Sequence, residues 1–512
     1  MKRTIRKVIQ NQGEIARRIG LNKIELKTDY HLIKQQPKKI EQLRNRTYAV
    51  KVKQETLERE KEENKIEEEK NETAIEIINP YPAKMIYNEK VDETTKKQLV
   101  LLGTGWGGYS LLKAIDLKKY DVQVVSKRSH FLFTPLLPSA SSGTLEFRSI
   151  TEPIRGARGK KENFHFHQSE AIHIDTNEKM VTCRSVFADE KDQTFGLKYD
   201  VLINAIGCDV NTFGIPGVKE NAFFVKELED ARKIRYRVLE CFEKASNPAL
   251  SLEKKSELLH FIFVGAGPTG IETAAELHDF VTQDLATLYP DLYLYVEFTV
   301  ITAENKVLSM FDAKLQEYTR KKFYRDHIKI QTNMRVAGVP KKTMVELSDG
   351  SKIPCGMVVW CGGNQSRELL QSPTATASFP KNNIDEILVN NNLEVVNQKD
   401  VYAIGDCSCV VDAPLVSTAQ VASQQGSYLA KQLNRNDTES IVPFKYNHAG
   451  LMAYIGNWHA IIEMDSWKFS GWFSFVLWRS AYLTKLVSIK NKVLVPFDWA
   501  KAIVFGRDSV ND

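Results

Sequence analysis

No run of about 18 apolar residues occurs in the 512-residue chain, so no segment is expected to cross a bilayer as a helix. Cysteine is sparse: seven residues, scattered at Cys183, Cys208, Cys241, Cys355, Cys361, Cys407 and Cys409. The one close pair, Cys407 and Cys409, is C-x-C, so neither a zinc or other metal site nor a disulfide framework is expected. Reduced intracellular thiols buried in a core fit this usage. Strong charge of one sign is also missing. A net charge of +6 gives no argument for a nucleic-acid partner. What remains is ordinary globular composition, long enough for two or three domains and a large core.

What is present is organised around Gln98–Ile115, QLVLLGTGWGGYSLLKAI. Leu99–Leu102 reads as a buried parallel strand, Gly103, Gly105 and Gly108 give G-x-G-x-x-G, and Tyr109–Ile115 has helical spacing. The first Gly permits a tight turn, the second lets backbone N–H groups approach phosphates, and the third lets helix pack on strand. The helix N-terminus then attracts the negative charge. Alone, the motif also suits a βαβ unit with no ligand.

The region before it differs in composition. Met1–Gly20 carries Lys2, Arg3, Arg6, Lys7, Arg17 and Arg18 against the single acid Glu14, with Ile5, Val8, Ile9, Ile15 and Ile19 spaced as one helix face. A mitochondrial presequence and a basic surface helix both fit. Glu55–Glu72 is a Glu/Lys run of the kind found in solvated helices and linkers, and Asn79-Pro80-Tyr81-Pro82 ends any helix before the folded body.

After the glycine turn a second strand, Val122–Val125, ends on Ser126-Lys127-Arg128, where a dinucleotide fold usually places an acid for the adenosine ribose. Phe131–Pro138 is apolar and proline-stiffened, suited to one wall of a flat, ring-shaped site or to plain core packing. Phe164–Val186 reads as a β-meander turning at Asp175-Thr176-Asn177. Tyr199–Gly207 returns to the buried-strand pattern and ends on Gly207, where backbone can approach a cofactor. Leu228–Lys244 reads as an amphipathic helix. The opening motif then repeats: strand Phe261–Val264, Gly265, Gly267 and Gly270, helix Ile271–Leu277, strand Phe298–Ile301. Two such units in one chain let one dinucleotide pass a hydride to the other. Leu388–Ala403 reads as sheet running into Gly405 and Asp406, an acid placed to reach a ribityl hydroxyl or pyrophosphate.

The ordered stretches GTGWGG, FLFTPLLPS, AIG, GAGPTGIE and YAIGDC resemble the two-dinucleotide-binding-domain flavoproteins. Phe131–Ser139, Ala419–Gly426 and Phe505–Asp508 resemble, more narrowly, the type II (alternative) NADH:quinone oxidoreductases, over about residues 97–512. The resemblance implies that Gly103, Gly105 and Gly108 hold the pyrophosphate of FAD. Ser126 and Lys127 stand at the ribose end, Thr134 and Pro135 near the isoalloxazine, Asp406 on the ribityl chain, and Gly207, Gly363 and Gly405 at backbone contacts. It implies that Gly265, Gly267 and Gly270 hold NADH or NADPH, with Glu272 at the nicotinamide–flavin stack. Thr302 takes the position of the usual ribose-binding acid, with Glu304 two residues beyond. Gln420, Gln424 and Gln425 would line the quinone entrance; without the resemblance they read as a polar helix face. No EF-hand loop interrupts the second unit, so calcium control is not expected. Disulfide reductases share the fold but need two cysteines after the first glycine turn, and none follows Gly108 there.

Trp472, Phe475, Val476, Leu483, Leu486 and Val487 fit one side of a helix, and Trp499, Ala502, Ile503 and Gly506 a second stripe, with Arg479, Lys485, Lys490, Lys492 and Lys501 interspersed. Such segments lie in a membrane interface or pack on a domain or partner. The expected fold is α/β: two Rossmann-like dinucleotide-binding domains and a C-terminal amphipathic helical membrane-anchoring region. The expected division is 1–95 extension, 96–255 FAD-binding first part, 256–354 NAD(P)H-binding, 355–440 FAD-binding second part with the quinone-site helix, and 441–512 membrane-associating. The implied activity is non-proton-pumping NAD(P)H:quinone oxidoreduction with a ubiquinone-type quinone, peripheral on the mitochondrial inner membrane. The alternative is a catalytically impaired structural subunit of a larger respiratory assembly. A homodimer also stays open.

Overall fold

In the computed structural model, residues 96–159, 162–187, 189, 193–435 and 442–509 are described. The presequence-like segment, the charged run and the whole 1–95 extension lie outside the described residues.

The chain enters on β1 (Lys97–Leu102), whose last four residues are buried, and turns at the glycines into α1 (Trp106–Ala114). The helix starts earlier than its apolar spacing suggests, because Gly107 and Gly108 lie inside its first turn. β2 (Tyr120–Val125), α2 (Leu137–Ser141) and β3 (Phe164–His167) follow. Then come β4 (Ser169–Asp175), β5 (Met180–Ser185), β6 (Thr194–Lys198) and β7 (Val201–Asn204). After β8 (Phe223–Phe224), α3 (Leu228–Ala245) leads to the second unit: β9 (His260–Val264), α4 (Pro268–Phe280), β10 (Glu297–Ile301), β11 (Ile328–Gln331) and β12 (Met357–Trp360). β13 (Val401–Ala403) and α5 (Ala419–Asn434) precede the C-terminal part. That part comprises β14 (Leu451–Tyr454), β15 (Ala460–Met464), β16 (Trp467–Gly471), α6 (Trp472–Lys485) and α7 (Ile489–Phe505).

Two five-stranded parallel sheets result. The first runs β13-β7-β1-β2-β3 and the second β8-β12-β9-β10-β11. In each, the strand feeding the glycine turn is the central one: Leu99 faces Val122 on one side and Val201 on the other, and Phe261 faces Phe298 and Met357. Fully buried parallel strands of this kind read as continuous apolar runs, which is why VLL and FIFV stood out. The helix after each central strand begins at the strand's carboxyl end, where open α/β sheets bind ligands.

Three details depart from the sequence expectation. Phe164–His167 is no part of a meander; β3 pairs in parallel with β2, and the antiparallel meander is β4-β5-β6. Leu388–Ala403 divides between two sheets, since Ile387–Val389 pairs with Ser408–Val410 while β13 joins β7. β8 and β12 lie outside the 256–354 segment expected for the second nucleotide unit, yet complete its sheet.

The C-terminal stripes are also redrawn. On α6 the buried face is Ser474, Phe475, Trp478 and Tyr482, while Trp472 and Val476 point outward at 63% and 38% exposure. On α7, Trp499 is buried and Ile503 exposed. Each stripe therefore divides between a packed and an open side. Among the described residues no helix is long and apolar enough to cross a membrane.

Candidate functional site

Each glycine turn is shaped by what its neighbours leave free. Gly103 has φ +94°, and a Cβ there would sit 2.2 Å from the Ala205 carbonyl oxygen; a Cβ on Gly108 would sit 2.1 Å from the Gly103 oxygen. Gly265 repeats this, with φ +108° against the Cys361 backbone at 3.0 Å, and a Cβ on Gly270 would meet the Gly265 oxygen at 1.9 Å. The middle glycines differ. A Cβ on Gly105 meets only the Arg128 guanidinium, at 3.7 Å, and one on Gly267 meets nothing within 4 Å. Outer glycines are thus required by protein packing, and middle ones open onto empty space beside a helix N-terminus, where phosphates bind.

Gly105 and Gly267 open onto the same cleft, of about 830 Å³. Thr134, Pro135, Gly207, Glu272, Gly363, Gly405, Asp406, Gln420 and Gln424 line it as well. They come from the ends of β1, β7, β9, β12 and β13, the turn before α2, the second turn of α4 and the first two turns of α5. A cradle that a Cβ would fill, facing a cleft of this size, fits a dinucleotide at each turn.

Beside the first glycine turn Trp106 donates from Nε1 to Thr134 Oγ1 at 3.0 Å and packs edge-on to Phe131, fixing the Thr134-Pro135 wall. Asp406 accepts from Cys208 Sγ at 3.2 Å, and Lys226 donates to that sulfur at 3.2 Å. Burial pushes the Cys208 thiol up to about 11, so it stays protonated and unreactive. Arg128, paired with Glu227 at 3.3 Å, lies in the cleft and places a positive charge by Gly105. Ser126 is buried, shares a hydrogen bond of 2.9 Å with Thr104 and accepts from the Arg128 N–H; Lys127 points away to Glu170. Neither lines the cleft.

Glu272 lies in the second turn of α4, is 7% exposed, and accepts from the Tyr454 N–H at 2.9 Å. Burial, helped by the charge of Glu276, raises its pKa to about 8 against the opposing Tyr454 hydrogen bond, so it carries a proton at neutral pH. At the end of β10, Thr302 is buried and its hydroxyl accepts from the Glu304 N–H at 3.2 Å, while the Glu304 side chain is exposed. Neither residue lines the cleft.

The three glutamines diverge. Gln425 is 2% exposed and accepts from the Gly405 N–H at 2.6 Å, holding the turn that carries Asp406. Gln420 donates to the Gly450 oxygen at 2.8 Å and Gln424 to the Asn447 oxygen at 2.8 Å, tying α5 to the strand entering the C-terminal sheet. Tyr482 and Lys485 of α6 complete that wall. Arg128, Lys226, Cys208, Tyr482 and Lys485 carry no local signal in the sequence; Trp106 stood inside the GTGWGG stretch. Among the described residues no group of three or more His, Cys, Asp or Glu is arranged to hold a metal ion.

Residues 97–426 match the pyridine nucleotide-disulphide oxidoreductase family, and residues 448–508 match the NDH2 C-terminal domain. The chain belongs to the type II NADH:quinone oxidoreductase family. A probable NADH dehydrogenase of Dictyostelium discoideum is 43% identical over 429 residues, 83% of this chain and 92% of that protein. External NADH-ubiquinone oxidoreductase 2 of Saccharomyces cerevisiae mitochondria is 40% identical, covering 81% and 82%. The structure of NDH2 from Plasmodium falciparum in complex with NADH is similar with a TM-score of 0.76 at 28% identity, over 81% of this chain and all of that one. The C-terminal domain of this type II family member spans β14–β16, α6 and α7 and closes with Phe505-Gly506-Arg507-Asp508. Arg507 pairs with Asp284 at 2.7 Å and Asp508 with Arg235, pinning the tail to the second unit and to α3.

Proposed function

We propose that this chain is a type II NAD(P)H:quinone oxidoreductase: it oxidises NADH or NADPH through FAD and reduces a ubiquinone-type quinone, without pumping protons, on the mitochondrial inner membrane. The observation that carries this reading is the pair of middle glycines, Gly105 and Gly267, opening from separate sheets onto one cleft. In this reading Gly103, Gly105, Gly108, Arg128, Thr134, Pro135 and Asp406 hold FAD. Gly265, Gly267, Gly270 and Gly363 hold the nicotinamide nucleotide, with Glu272 between the two. Gln420 and Gln424 face the quinone, and Gln425 acts through Gly405. The division expected from the sequence goes with it, with β8 and β12 assigned to the NAD(P)H-binding part. Bound flavin supplies the ability to accept a hydride and to release the electrons to a second acceptor.

Contact with the membrane is part of the proposal. Trp472, Phe473 and Val476 on α6, and Ile489, Val493, Phe497, Val504 and Phe505 on α7, are exposed apolar side chains concentrated in the last 41 residues. Lys485, Lys490 and Lys492 lie among them. Exposed aromatics with interspersed cations suit an interfacial surface, and the quinone is dissolved in that bilayer.

The test is the absorbance of purified protein. Bound flavin should bleach on NADH under anaerobic conditions and recover on adding a soluble ubiquinone; flavin that NADH leaves oxidised would overturn the reading.

A further inference from the structure

A second cavity, of about 290 Å³, lies one turn further along α4 than the cofactor cleft. Its lining includes Glu276, Tyr454, Trp478, Arg479, Trp499 and Arg507. It reaches the surface beside Gln283 and Ile503, both exposed. Its size corresponds to roughly ten waters at the liquid volume of about 30 Å³ each. Arg479 stacks over Phe475 at 4.4 Å and Trp499 at 4.5 Å, and its Nε is a buried donor without a partner in the same lining. A buried donor of this kind is satisfied by water.

Glu276 links this cavity to the cleft. It is 5% exposed, and its carboxylate accepts from Ser139 at 2.5 Å, Ser142 at 3.0 Å and Thr144 at 3.2 Å. Thr144 in turn accepts from Arg507 Nε at 2.8 Å. On α4, Glu276 stands four residues after Glu272, on the same helix face and about 5–6 Å away at Cβ. Glu272 lines the cleft and Glu276 lines the second cavity, so one turn of helix carries carboxyl groups from one space to the other. Asp279 follows on the same face, accepts from the Tyr454 hydroxyl at 2.5 Å, and burial raises its pKa to about 6.

The charged and titratable groups around Glu276 come from every packed element. α4 gives Glu272 and Asp279, α6 gives Arg479, β14 gives Tyr454, and the tail gives Arg507 with its partner Asp284. Three hydroxyls and two arginines hold the Glu276 carboxylate in place between the two spaces, so it is not stranded in an apolar core.

Quinone reduction consumes two electrons and two protons, turning two C=O groups into two O–H groups. NADH supplies a hydride, which is two electrons and one proton; the second proton is drawn from solvent. We propose that Glu276 is the relay for that proton: after Glu272 gives its proton at the cleft, the Glu276 carboxylate takes one from water in the second cavity, passes it to Glu272 and returns to its charged form. Glu276 acts through Glu272 and does not touch substrate. The proposal rests on the quinone-reductase reading.

The test uses the full-length holoprotein, NADH and a water-soluble ubiquinone in anaerobic stopped flow. In Glu276→Gln, bleaching by NADH should stay close to the wild-type rate. Reoxidation by quinone should slow by roughly ten- to a hundredfold, with a larger solvent deuterium isotope effect and partial rescue by imidazole, a small proton donor. Glu276→Asp should keep most of the quinone rate. Ala502→Leu fills the second cavity from α7 while leaving the Glu276 side chain itself unaltered, and should slow the quinone limb in the same sense. An infrared redox difference spectrum of the wild type should contain a deuterium-sensitive carboxyl band that Glu276→Gln removes. An unchanged quinone rate in Glu276→Gln overturns the relay, as does equal slowing of both limbs without imidazole rescue. If Glu276→Gln does not fold, an unchanged quinone rate in Ala502→Leu does so instead. Failure of wild-type flavin to bleach or recover would instead defeat the quinone-reductase reading itself.

Discussion

The two glycine turns are nearly the same local object, yet the helices that follow them are used differently. α1 is covered by α5 at very close range: a Cβ on Gly426 would lie 2.1 Å from the Gly107 oxygen. No acid stands in the first turn of either helix. α4 carries Glu272, Glu276 and Asp279 on its covered face, under the C-terminal sheet and α6. The first helix therefore gives its face to close backbone packing. The second spends it on buried carboxyl groups, each of which costs stability unless hydrogen-bonded. Protein packing fixes the outer glycines in both places; the two helices differ in what they carry after them.

The sharpest way to break this comparison is at the middle glycine of the first turn. Gly105→Val projects a branched side chain into the space beside the helix N-terminus. The purified variant should fold and contain almost no flavin, measured by absorbance after denaturation; full flavin content would remove FAD from that turn. The membrane surface is a separate matter from both turns. Phe473→Ser, Phe497→Ser and Phe505→Ser together remove three exposed rings, each worth about 1.5–3 kcal/mol if buried in lipid. Binding to liposomes of anionic composition should fall by at least about tenfold, with soluble-quinone activity kept. Unchanged liposome binding would assign that face to a partner or a second copy.

A third effect is expected where the two units share the lack of an acid, at the ends of β2 and β10. Ser126 and Thr302 are both buried with their hydroxyls engaged locally. A charge-assisted hydrogen bond is worth roughly 1.5–3 kcal/mol, so Thr302→Glu should strengthen NADH binding by roughly ten- to a hundredfold and repel the 2′-phosphate of NADPH. KM values for both nucleotides check this. Strong wild-type preference for NADH, unaltered by Thr302→Glu, would show that the missing acid does not matter.

The smallest effect concerns pH. The folded state raises the Glu272 pKa from 4.5 to about 8, so folding binds a proton that the unfolded chain releases above 4.5. Its stabilising contribution is complete below the unfolded value and is lost as pH rises through about 8. The wild-type Tm should decline over that window, and Glu272→Gln should flatten the decline. An identical slope in both proteins would place the proton elsewhere.

The sequence carried the glycine turns because their spacing is local: the positive φ of Gly103 and the contact of Gly108 with the Gly103 oxygen belong to one strand–turn–helix unit, and the buried strands beside them are continuous apolar runs; the Ala205 oxygen that also excludes a Cβ at Gly103 comes from β7. It did not carry Arg128 at Gly105, or the Lys226–Cys208–Asp406 chain, because those contacts join residues 18 to 198 positions apart with no shared period. Gln425 looked like a member of a polar stripe with Gln420 and Gln424. Only the approach of the Gly405 N–H turns it inward. The stripes on α6 and α7 failed for a related reason: an apolar face and a lipid-facing face have the same composition, and only packing separates Phe475 from Val476.

Whether the two turns serve two different nucleotides on one cleft is decided by Gly267→Val. The account predicts a yellow protein with full flavin content that NADH no longer bleaches but dithionite does. A variant that loses its flavin, or that NADH still bleaches at the wild-type rate, would contradict it.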